Sequence, residues 1–90
     1  MTEIALDARP RVAGHFRLQW EEVQKSWVLL YPEGMVKLNG SAGEIMSRLD
    51  GHKTVADVVA ELERAFDTQA LARDVQDFLA LAHKQGWVQT

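Results

Sequence analysis

The hydrophobic pattern of this ninety-residue chain changes period once, at Asn39-Gly40-Ser41, and that change limits the fold more than any other feature. Before it, apolar residues recur at every second position. Phe16, Leu18 and Trp20 alternate with His15, Arg17 and Gln19, as a half-buried strand requires. A polar interruption at Glu21 to Lys25 follows. Trp27-Val28-Leu29-Leu30-Tyr31 is then apolar on both faces and rich in strand formers, as the middle strand of a small meander would be. Tyr31-Pro32-Glu33-Gly34 reads as a turn, with proline at the second position, where its fixed φ is already suitable, and glycine at the fourth. Met35 to Asn39 is a short third strand, with Val36 and Leu38 on one face and Met35, Lys37 and Asn39 on the other. Its outer edge has no evident partner within the chain.

Beyond the change, the period is helical. Ser41-Ala42-Gly43-Glu44 has the form of a capping box, in which the Ser41 hydroxyl accepts from a first-turn N–H and Glu44 reaches back. The helix it opens carries Ile45, Met46 and Leu49 and stops at Asp50-Gly51. Thr54 offers a second N-cap, followed by a buried stripe of Val55, Val58, Val59, Leu62 and Phe66. Asp67-Thr68 is a tight junction into a third helix, Gln69 to Gln85, whose stripe is Leu71, Val75, Phe78, Leu79 and Ala82. Gly86 ends it, and Trp87-Val88 is expected to fold back and seal the core. Three short antiparallel strands followed by three helices make an α+β domain of winged helix-turn-helix-like form. Residues 1–11, poor in apolar anchors, are expected to be a flexible arm, and residues 12–90 a single domain.

Composition narrows the function classes. With 47% apolar and 26% charged residues the chain is ordinarily globular. It has no cysteine, which removes disulfides, thiolate metal sites and thiol nucleophiles together. No run reaches the ~18 apolar residues of a membrane span, and the N-terminus lacks the order of a signal peptide, so a cytoplasmic protein is expected. His15, His52 and His83 share no metal-ligand spacing. Asp74 and Asp77 are three apart on one helical face but have no partner pattern for acid–base work, so they read as a solvated face. Gly40 and Gly43 flank a cap and form no phosphate loop. No catalytic residue, metal or cofactor is expected.

A winged helix invites DNA binding as the alternative. The net charge of −3 weighs against it. So does the third helix, where Arg73 and Lys84 are balanced by Asp74 and Asp77.

One side of that helix is less bland. The core stripe centres between Leu71 and Val75, yet Leu81 lies about 100° away on a 3.6-residue wheel, in line with Ala70, Asp74, Asp77, Lys84 and Gln85. Leu81 either caps the core sideways or walls a groove together with part of Phe78. Beside the unpaired edge of Met35 to Asn39, such a groove would let a peptide add as a further strand while its side chains enter the cleft. Lys37 and Pro32 could instead simply blunt the edge. In the peptide reading, backbone pairing sets register and apolar anchors set strength.

The stretch LYPEGMVKLNGSAGEIMSRLDGHKTVADVVAEL, followed by DVQDFLALAHKQGWV, strongly resembles the PqqD family of pyrroloquinoline quinone biosynthesis. The resemblance spans roughly Pro10 to Val88. Its specific parts are the Pro-Glu-Gly turn, Leu-Asn before the first helix, the L-D-G-x-x-T link and the DVxxFL run. Gly43 and Met46 stand where the pattern suggests alanine and leucine, a change that could soften the first helix. The resemblance implies a leader-peptide recognition domain, a chaperone that holds the ribosomally made precursor PqqA and presents it to the radical S-adenosylmethionine enzyme PqqE. It also implies a peptide site of Met35, Val36, Lys37, Leu38 and Asn39 on the strand, with Arg73, Asp74, Asp77, Phe78 and Leu81 on the helix.

Overall fold

The computed structural model describes residues 4–90. The element order is β1 (Arg11–Val12), β2 (Arg17–Glu21), β3 (Ser26–Tyr31), β4 (Gly34–Lys37), α1 (Gly40–Met46), α2 (Val55–Ala65), α3 (Ala72–Lys84) and β5 (Val88–Gln89). β2, β3 and β4 form an antiparallel meander with β3 in the middle. Its register sets Leu18 and Val36 on either side of Leu29, and Trp20 opposite Trp27. Directly opposed residues share a face of the sheet, so Leu18, Leu29 and Val36 present one apolar surface to the helices. A second ladder joins β1 to β5, with Val12 opposite Val88. The chain after Gly86 thus folds back, with the strand at Val88–Gln89, and buries Val88.

Two apolar clusters fill the interior. One lies under the sheet and gathers Leu29, Leu38, Met46, Ala82 and Val88. The other packs Val55, Val58, Val59 and Leu62 of α2 against Val75 and Leu79 of α3. Leu49 and Phe78 touch both clusters and join them. Fully burying a side chain of this size contributes about 1.5–3 kcal/mol, so helix placement is decided by these stripes more than by intrinsic propensity.

The structure corrects the cap of the first helix. Asn39, extended at φ −71° and ψ 174°, is the N-cap of α1, and its side chain accepts the Ala42 N–H at 2.8 Å. Ser41 instead donates its hydroxyl to the Asn39 side chain. Glu44 does not reach back but pairs with Arg48, one turn on, at 2.8 Å. At α2 the expected cap is present, with Thr54 and Asp57 exchanging side-chain and backbone bonds.

The N-terminal arm is a second correction. Residues 1–3 lie outside the described residues, but from Ile4 onward the arm is packed. Ile4 is only 4% exposed, inside the α2–α3 cluster, and its carbonyl accepts from Gln76 Nε2 at 2.8 Å. The carbonyls of Leu6 and Ala8 accept the Ala56 and Val55 N–H groups, and that of Pro10 accepts the Gly51 N–H. The bonds to Val55 and Ala56 satisfy first-turn amides of α2 that have no partner within the helix.

Candidate peptide-binding site

The strand edge is set by the ladder. Leu38 N–H donates to the Trp27 carbonyl at 3.1 Å. In an antiparallel pair, alternate residues turn both backbone groups toward the same neighbour. With Leu29 opposite Val36 and Tyr31 opposite Gly34, the groups of Gly34, Val36 and Leu38 therefore face β3, and those of Met35 and Lys37 face the open edge. β4 has no second neighbour among the described residues.

This alternation divides the five strand residues singled out by sequence. Met35 and Lys37 are exposed and carry the free backbone groups. Val36 packs against the cluster beneath the sheet, and Leu38 is buried within it. The backbone groups of these two face β3, so neither would add a bond to a ladder formed at the outer edge. Asn39 is exposed where the strand gives way to α1, with its side chain engaged in the cap.

Past Asn39 the edge opens onto a groove of about 650 Å³. Its walls are the start of α1 from Asn39 to Ala42 with Glu44 and Ile45, the end of α2 with Leu62 and Phe66, Thr68 of the junction, and Leu71, Asp74, Val75 and Phe78 of α3. The helix residues expected at the site divide here too. Asp74 and Phe78 line the groove. Leu81 lies one turn beyond, outside the groove lining and 49% exposed, so it does not cap the core. Arg73 and Asp77 pair with each other at 3.2 Å on the exposed surface of the helix and do not line the groove.

Sequence reasoning missed most of the groove. Phe66 was expected in the α2 core stripe, but α2 stops at Ala65 and Phe66 leaves helical geometry at φ −109°. Its ring is 54% exposed on the groove wall. Left-handed Asp67 and Ala70 turn the chain between α2 and α3, so α3 begins at Ala72, later than the pattern suggested.

The charged groups around these elements are mostly committed. Glu63 accepts the Leu71 N–H at 3.0 Å, and Glu61 pairs with Lys53 at 2.9 Å. The Thr54 backbone bond holds the Asp57 carboxyl below the usual aspartate range, and bonds from the Lys53 and His52 amides do the same for Asp50. No group of three or more metal-ligating side chains occurs among the described residues. No helix among them is long and apolar enough to cross a membrane.

Fold and site together define a small α+β binding module: a meander with one edge strand open, set beside the first half of a helix and an apolar groove. Comparison with known proteins gives that class a family. The family model for coenzyme PQQ synthesis protein D (PqqD) matches residues 26–88. A protein of Azotobacter vinelandii named PqqA binding protein is 42% identical over 90 residues, covering 99% of this chain and 98% of the relative. One of the same name from Pseudomonas aeruginosa is 46% identical over 86 residues, 94% of each chain. Among solved structures, the solution structure of the PqqD truncation of Methylobacterium extorquens PqqCD, described as a functional, stand-alone RiPP recognition element, superimposes with a TM-score of 0.81 at 25% identity. It covers 97% of this chain and 95% of that one. The crystal structure of PqqD from Xanthomonas campestris gives a TM-score of 0.59 at 29% identity, covering 97% and 99%. The chain belongs to the PqqD family, whose members are non-catalytic recognition proteins of PQQ biosynthesis.

Proposed function

We propose that this chain binds a ribosomally made precursor peptide of the PqqA type by adding it as a strand to the edge of β4, beside α3, and presents it to a radical S-adenosylmethionine enzyme of the PqqE type. The relatives named as PqqA binding proteins support the partner. The observation that carries the mode is the outward-facing backbone of Met35 and Lys37 next to a groove that Asp74 and Phe78 line. Those two residues offer two N–H and two C=O groups. At about 0.5–1.5 kcal/mol net per hydrogen bond, a full set of four would not outweigh the roughly 4–15 kcal/mol lost on association. Side-chain contacts must supply the remainder. Presentation requires the bound peptide to keep its modified segment free, and a strand held at one sheet edge leaves both of its ends accessible.

Titration of the isotope-labelled chain with a PqqA-type peptide tests the mode. The amide signals of Met35 and Lys37 are expected to shift more than those of Val36 and Leu38, whose N–H groups already bond β3. Binding with unmoved Met35 and Lys37 amides would place the peptide elsewhere.

A further inference from the structure

Resting on the strand-addition reading, we infer that the groove beyond Asn39 takes an apolar side chain of the peptide just N-terminal to its paired segment, with a neighbouring lysine or arginine held by Asp74. Continuity gives the occupant. β4 ends at Lys37 and α1 begins at Gly40, so the pairing edge runs out at Asn39, which is itself part of the groove wall. Every pair in this sheet is antiparallel, and a fourth strand added in the same sense leaves the edge with its N-terminal side over the groove. The floor it meets is apolar: Leu62, Phe66, Leu71, Val75 and Phe78. Phe66 and Leu62 belong to the end of α2 and come into play only beyond the strand edge.

Charge gives the second half of the inference. Of the carboxylates on the elements around the groove, Glu44 pairs with Arg48, Asp77 with Arg73, and Glu63 accepts the Leu71 N–H, while Asp67 is exposed in the junction and does not line the groove. Asp74 lines the groove and makes no ion pair or side-chain hydrogen bond among the described residues. It sits in the first turn of α3, where a carboxylate also favours the helix, so its effect on folding must be read separately from its effect on binding. A cation entering beside an apolar anchor would find Asp74, the one acidic residue of the groove lining without a side-chain partner among the described residues, on a chain of net charge −3.

The test uses the full chain, a PqqA-type peptide, and the variants Asp74→Asn and Phe66→Ala, with Asp7→Asn on the arm as control. Methyl signals of Leu62, Leu71 and Val75 in the unmutated protein should shift on binding. Phe66→Ala should weaken binding about tenfold. Asp74→Asn should weaken it about two- to fivefold at low salt, with the difference fading at high salt, while Asp7→Asn changes nothing. Replacing the relevant peptide lysine or arginine by glutamine should remove the sensitivity to Asp74→Asn. Shifted Met35 and Lys37 amides with unmoved groove methyls would overturn the anchor and leave strand addition standing. Unmoved Met35 and Lys37 amides would instead remove strand addition itself. Unchanged affinity of Asp74→Asn at low salt would overturn the cationic partner. Should Phe66→Ala melt at a lower temperature, the methyl shifts of the unmutated protein decide.

Discussion

The indole of Trp27 lies directly against Gly43: a Cβ built on that glycine would come within 2.7 Å of the indole Cδ1 and 3.0 Å of its Cβ. Trp27 projects from the central strand, and the absence of a side chain at Gly43 lets α1 settle onto the sheet. Read from sequence alone, this glycine looked like a softening of the helix. Replacing it with alanine should therefore destabilise the domain. The helix gains about 1 kcal/mol of propensity, whereas overpacking costs typically 1–3 kcal/mol. A net loss of up to about 2 kcal/mol in denaturant unfolding is expected for Gly43→Ala, with recovery when Trp27→Leu is added. A Gly43→Ala protein more stable than the parent would show that the indole yields without cost.

The arm makes a prediction of its own. Ile4 fills the α2–α3 cluster, and the bonds from Leu6 and Ala8 carbonyls hold the first turn of α2. Ile4→Ala should cost about 2–5 kcal/mol, the range for a buried aliphatic truncated to alanine. Urea melts read this directly, and a loss below half a kcal/mol would mean that the arm does not contribute to the core in solution.

How much of this was legible follows from where the signals sit. The strands and the stripes of α2 and α3 were readable because side-chain period reports burial. The arm was not, since Ile4 is a single anchor and its other ties are backbone carbonyls, which leave no mark in a sequence. Asn39 and Ser41 are both good caps, and only the Leu38 bond to Trp27, which carries the extended chain as far as Asn39, selects the former. At the site, counting strands exposed the open edge. The groove stayed hidden because it is built from the ends of three elements, and the stripe through Phe66 assumes a helix that has already stopped.

Acid should loosen the start of α2. Asp57 is held below the usual aspartate range first by the Thr54 amide and then by the Thr54 hydroxyl. A depressed folded-state pKa means that the unfolded chain binds more protons as pH falls. The stabilisation is therefore complete above about pH 4 and is lost as pH drops through the lower folded value. Asp50, held down by the Lys53 and His52 amides, adds to the same window. Melting temperature should fall steeply below about pH 4, and less steeply in Asp57→Asn, which keeps an acceptor but cannot titrate. Identical acid limbs for both proteins would remove Asp57 from this account.

Leu81 separates binding from folding. Its side chain is half-exposed one turn past Phe78, so Leu81→Glu should change stability by no more than about 0.5 kcal/mol, as for other surface positions. If the peptide lies along this face of α3, affinity should fall about tenfold or more, the cost of losing an apolar contact and facing a buried charge. Calorimetric titration beside a thermal melt checks both, and parallel losses would return Leu81 to the core.

The sharpest test uses the alternation of β4. A proline at position 37 removes an N–H that points away from β3, and edge strands tolerate proline on that side. The Leu38 N–H bond to Trp27 and the inward face of Val36 remain in place. Lys37→Pro should therefore keep the fold, with a modest drop in melting temperature, yet weaken peptide binding at least tenfold by deleting one ladder bond and setting a ring in the path of the added strand. Val36→Pro, one residue earlier, removes an N–H that the register turns toward β3 and should destabilise the sheet itself. The pair distinguishes pairing at this edge from contact with the side chains alone. A Lys37→Pro protein that binds like the parent would exclude a ladder that uses the Lys37 N–H, and with it the four-bond pairing at β4.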